Sequence, residues 1–264
     1  MLLTGQSARH LGLDRALGFR LAVVAGAVNV VGFRAFGLFS ANMTGNVSAL
    51  SLHLARAHLA AALLLGLVLL AFLAGAAGST LLVEAGKKRS VDSVFAIGLL
   101  IEAAGLATLG GLALLVSSLD RPALLVPALA FLMGLQNAIT TQISRERVRT
   151  THLSGIITDL GIGLGLLARR AAGRTLSAEG ALVLPRFSLY LVTASGFLAG
   201  GVLGGGIYDR FGLVVLPLAA LLLLWHTARG CSAYSCPCSS CTDRDGVARR
   251  SRHRRWVTRD AGRF

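Results

Sequence analysis

The chain has 264 residues, 54% of them hydrophobic and only 14% charged, against about 25% charged in an ordinary soluble domain. That composition excludes an ordinary cytosolic enzyme, and with so much apolar surface it equally excludes disorder. The 26 basic residues outnumber 12 acidic ones, for a net charge of +14. On an apolar chain such an excess points to loops held on the cytoplasmic side of a membrane rather than to nucleic acid.

Arg9, Arg15 and Arg20 precede the first apolar run, as in a secretory leader. No small-x-small cleavage site followed by a polar chain is present, so the run reads as a first spanning helix. A bilayer core of about 30 Å needs about 20 apolar residues per helix. Six windows meet or approach that requirement: 16–39, 60–83, 94–118, 122–143, 187–208 and 212–228. Segments 42–56 and 152–168 are helix-like but short and rich in Thr, Ser, Asn and Gly. At 1.5 Å per residue each reaches roughly 23–26 Å, marginal for crossing. Arg34 is expected to snorkel outward from a helix end. From Gly230 the chain turns into a basic tail carrying Cys231, Cys236, Cys238 and Cys241.

Loop charge separates two topologies. If both short segments cross, Lys87, Lys88, Arg89, Arg145, Arg147 and Arg149 fall outside. If both dip in and return, all six fall inside with Arg169, Arg170 and Arg174, as the positive-inside bias requires. The expected architecture is therefore an all-α polytopic bundle of about six spans plus two re-entrant half helices, with both termini cytoplasmic. Residues 1–228 form the transmembrane domain and 229–264 a disordered tail. The scarcity of lysine suggests a GC-rich bacterial source, hence the inner membrane.

The two halves echo each other in order. Asp14-Arg15 returns as Asp120-Arg121, and Gly26-Ala27-Val28-Asn29 as Gly134-Leu135-Gln136-Asn137. Met43-Thr44-Gly45-Asn46 returns as Leu153-Ser154-Gly155-Ile156, and Phe72-Leu73-Ala74-Gly75 as Phe197-Leu198-Ala199-Gly200. Units of about 14–118 and 120–228, each with three crossings, would be inverted relative to one another, as in many secondary transporters.

The blocks Phe39-Ser40-Ala41-Asn42-Met43-Thr44-Gly45-Asn46, Met133-Gly134-Leu135-Gln136-Asn137-Ala138 and Leu153-Ser154-Gly155 resemble the YoaK family of bacterial integral membrane proteins, a domain of unknown function. The resemblance covers roughly residues 12–228 and implies about six helices in a membrane. It transfers no activity and no catalytic residue. Ser154 stands where the family pattern has Thr, which keeps the hydroxyl.

Ionisable groups at membrane depth are costly and default to functional candidates. Glu102 and Asp159 are the proton-coupling candidates, and Asp159 also joins Asn29, Asn42, Thr44, Asn46, Gln136, Asn137 and Ser154 as solute-binding candidates. The plainer role for the amides is interhelical hydrogen bonding, and for Asn42 or Thr44 a helix N-cap. Gly196, Gly200 and Gly204 form a stripe of small residues for close packing, on which the units rock or a homo-oligomer forms. Gly205–Gly212 resembles a fragment of a loop motif of major facilitator transporters, lacks its trailing basic pair, and reads as a turn. The tail cysteines lack the paired spacing of a zinc ribbon. The tail's basic stretch suits an anionic lipid surface, and its composition also matches GC-rich DNA read out of frame. No nucleotide, metal or nucleophile signature survives, so neither an enzyme nor a cofactor or metal is expected. The function expected is a small secondary-type permease for an unknown small solute. The alternative is a non-transporting scaffold or lipid-binding protein, with the bilayer as partner in both cases.

Overall fold

A computed structural model describes residues 2–89, 94–115, 122–144 and 150–230, all helical or turn with no strand among them. The helices are α1 (Leu2–Phe36), α2 (Met43–Ala55), α3 (Leu59–Lys88), α4 (Val94–Leu115), α5 (Pro122–Ile143), α6 (Leu153–Ala171), α7 (Ala178–Phe211) and α8 (Val215–Gly230). Five stretches are long and apolar enough to cross a membrane: Asp14–Phe36, Leu59–Lys88, Val94–Leu115, Ala123–Gln142 and Val183–Ala228. The last two expected windows merge in that 46-residue stretch. Residues expected as a loop before Gly212 stay helical to Phe211, and a single 3-10 turn, Gly212–Val214, separates α7 from α8. Gly212 makes this tight reversal with φ of 61°, a conformation that a Cβ would penalise. The loop expected over 169–186 is also shortened, because Ser177 caps α7 by accepting a hydrogen bond from the Gly180 amide at 3.2 Å. The cysteine tail, Arg121 and Arg145–Arg149 lie outside the described residues.

Each main helix pairs with one from the other half: α1 packs on α7, α3 on α5, and α4 on α8. Glycine makes the first two contacts possible at backbone distance. A Cβ on Gly200 would strike the Val23 backbone, and one on Gly75 the equivalent Phe131 carbonyl. A Cβ on Gly26 would strike the Phe197 carbonyl, and one on Gly134 the equivalent Phe72 carbonyl. These are the residues paired by the sequence echo, now meeting reciprocally. The stripe Gly196, Gly200, Gly204 therefore lies against Phe19, Val23 and Ala27 of the same chain. It is not the exposed face a homo-oligomer through it would need.

The contacts also fix helix directions. Along α7 and α1, Gly196 meets Phe19 and Gly204 meets Ala27, so the two run parallel. Phe72 meets Gly134, and Gln142 donates to the Thr80 hydroxyl at 3.0 Å, so α3 and α5 are parallel. Gly98 meets Ile139 whereas Gly105 meets Leu132, so α4 and α5 are antiparallel. Phe36, at the end of α1, packs against a cluster formed by Val68 of α3 with Val126 and Ala130 near the start of α5, so α1 and α5 are antiparallel as well. Consequently α1 and α3 run in opposite directions although α2 lies between them, and so do α5 and α7 on either side of α6.

The outside is apolar. Leu63, Leu70 and Leu81 on α3, Leu198 and Val202 on α7, and Leu221 on α8 are all at least 60% exposed. In water such a surface would drive aggregation; against lipid chains it needs no cover. Arg34 does not simply snorkel: it forms an ion pair with Asp209 at the matching end of α7.

Candidate functional site

The site begins with a chain reversal after α1. Gly37 takes φ of 70°, and residues 37–42 fold back along the helix they have just left. Phe39 stacks on Phe33 with ring centroids 4.6 Å apart. Ser40 donates to the Val28 carbonyl at 3.2 Å, and the Ala41 amide donates to Asn29 Oδ1 at 2.9 Å. The returning strand thus reaches the level of Asn29, about two turns back inside a span that ends at Phe36. There α2 starts. Asn42 caps it, accepting from the Gly45 amide at 3.1 Å, and buried Asn46 fastens the return by donating to the Phe39 carbonyl at 2.7 Å.

The second half repeats the local chemistry. Ser48 donates to the Thr44 carbonyl at 3.0 Å, and the equivalent Thr158 donates to the Ser154 carbonyl, also at 3.0 Å. His152 stands at the cap position of α6 in place of Asn42 and makes no side-chain cap bond.

Between the two short helices lies a cavity of about 640 Å³. Its walls come in equivalent pairs: Asn29 and Asn137, Ala41 and Thr151, Asn42 and His152, Met43 and Leu153, Thr44 and Ser154, Phe72 and Phe197. The N-terminal ends of α2 and α6 both open onto it. Among the described residues, no carboxylate lines it. Asn29 is 5% exposed; its Oδ1 is occupied by the Ala41 amide, and its amide N–H₂ has no partner among the described residues. The Asn137 oxygen is buried without a partner among the described residues.

Five solute-binding candidates, Asn29, Asn42, Thr44, Asn137 and Ser154, therefore meet in one cavity. Three do not. Asn46 is buried and bonded to its own loop. Gln136 points into the helix packing, fully buried, and its amide group has no hydrogen-bond partner among the described residues. Asp159 lies on α6 beyond the lining residues. Glu102 is likewise away from the cavity, 0% exposed, with both carboxyl oxygens unpartnered among the described residues. The antiparallel α4–α5 contacts place it at the depth of Gln136. The expectation that inverted halves gather all these groups at one point fails for a geometric reason. Neighbouring helix residues point about 100° apart, so Asn137 faces the cavity while Gln136 faces away from it. Sequence reasoning missed Phe72, Phe197, His152 and Ser48 on the walls. The echo of Phe72 in Phe197 was a signal for the first pair.

Helices able to span a bilayer, an apolar exterior and a polar cavity between two short helices are consistent with a multi-pass membrane protein. The particular assignment is at the level of family. The chain belongs to the family described as protein of unknown function (DUF1275), which matches residues 17–228. Neither a curated protein nor a solved structure matches the chain.

Proposed function

We propose that the protein is a small secondary-type permease of a bacterial inner membrane, with two inverted units enclosing a polar solute site. The observation that carries this reading is the cavity lined by equivalent positions from both halves. Helix directions support the inversion: α2 and α6 start inside the membrane and return to the side they came from, leaving three crossings per unit and six in all. Non-helical backbone at that depth is tolerated where it lines a polar cavity, and discontinuous helices are where secondary transporters bind their cargo. Both termini then lie in the cytoplasm.

Glu102 is the foremost candidate for the coupling proton, since a buried intramembrane carboxyl without a partner is expensive to keep. Gln136 lies at its depth and is likewise buried without a side-chain partner among the described residues. Asp159 is the second candidate.

The test is uptake into proteoliposomes, screened over small solutes with and without an imposed pH gradient. A saturable flux is expected, and Glu102→Gln should reduce the gradient-driven component at least tenfold while the protein remains folded and reconstituted. If the screen gives no flux, and substitutions lining the cavity alter only stability, the protein is a scaffold or lipid-binding module instead.

A further inference from the structure

We infer that the cavity takes a small organic anion, an oxyanion head on an apolar body, held between the N-termini of α2 and α6. As cargo, this ligand rests on the permease reading; as a binding site, it does not.

Two helix ends converge on one cavity, and each N-terminus carries about half a positive elementary charge together with first-turn amides that lack intrahelical acceptors. Oxyanions settle at such ends. In α2 the Asn42 side chain occupies one of those amides, that of Gly45. In α6 the His152 side chain occupies none, which leaves the first turn of α6 as the better-supplied end.

An independent observation points the same way. Asn29 is 95% buried, since only 5% of it is exposed. Its oxygen is fixed by the Ala41 amide, which forces its unpartnered N–H₂ to be the free end on the cavity wall. An acceptor on the ligand pairs that donor. Asn137 lines the cavity at the equivalent position of the other half. Among the described residues, no carboxylate lines the cavity. The remaining walls select the body: Phe72 and Phe197 from opposite halves, with Met43, Leu153 and Ile157, form apolar surface suited to a ring or branched chain. The volume, about 640 Å³, falls within the range of small-molecule pockets.

The full-length protein, purified in detergent, would be titrated with benzoate and with benzamide, its neutral counterpart. Benzoate should bind, and benzamide at least tenfold more weakly. Ser154→Asp places a negative charge in the first turn of α6, where it favours the helix but competes for the anion site. It should keep or raise the unfolding temperature while weakening benzoate at least tenfold. Asn29→Asp keeps the acceptor for Ala41 and removes the donor, with the same expected loss. Equal affinity for benzamide, or undiminished benzoate binding in the Ser154→Asp protein, would overturn the assignment. Benzoate binding without any flux would leave the site standing and count against the permease. Saturable flux of a neutral or cationic solute with no benzoate binding would do the reverse.

Discussion

At the residue scale, what decides a position is whether backbone or a movable side chain sits opposite. Gly200 and Gly206 are both in α7. A Cβ at Gly200 would meet Val23 backbone atoms, whereas one at Gly206 meets nothing within 4 Å. Backbone cannot rotate away, so Gly200→Ala should destabilise by about 1–3 kcal/mol, despite a helix-propensity gain of about 1 kcal/mol. Gly206→Ala has the gain alone and should be neutral or stabilising; thermal unfolding of both in the same detergent checks the pair. Asn46 gives a second case. Its amide secures the Phe39 carbonyl in a buried place, so Asn46→Leu should cost about 1–3 kcal/mol. It should also expose residues 37–42 to proteolysis. Both predictions concern groups that the sequence marked without revealing their use. The Gly-x-x-x-Gly stripe was legible, but its partner helix was not, because small residues serve contacts within and between chains alike. Asn46 was legible as polar, but only the return of the loop shows that it faces Phe39 and not solute.

At the scale of elements, the short helices were visible from length and polarity, and the halves from four echoes in one order. Pairing of α1 with α7 and α3 with α5 was not, since sequence similarity states which residues are equivalent and not which ones touch. The lining of the cavity was half legible: the block around Met43-Thr44-Gly45 and its echo supply most of it, while the aromatic walls come from α3 and α7. The last loop was misjudged because Gly205 and Gly206 suggested a turn in a helix that packing sustains to Phe211. The Arg34–Asp209 ion pair ties the same ends of α1 and α7 on exposed surface. A pair so exposed contributes little to stability. Asp209→Asn should accordingly leave the unfolding temperature nearly unchanged, and a fall of several degrees would mean that the pair holds the two halves in register.

At the scale of the whole molecule, the parallel and antiparallel contacts form one consistent picture. In the proposed arrangement two units of three crossings interlock, each sends a short helix back out from within the bilayer, and the helix beginnings face each other across the cavity. The alternative, with α2 and α6 crossing fully, would make α1 and α5 parallel, against the packing of Phe36 on the cluster of Val68, Val126 and Ala130. Sidedness tests this most directly. With Cys231, Cys236, Cys238 and Cys241 changed to serine, single cysteines at Phe36, Arg56, Gln142 and Arg174 would be labelled in intact cells with a membrane-impermeant maleimide. Phe36→Cys and Arg56→Cys should both react from outside, and Gln142→Cys and Arg174→Cys only after the membrane is opened. Labelling of Phe36→Cys and Arg56→Cys from opposite sides would mean that α2 crosses, and would contradict the inverted units on which the cavity's function rests.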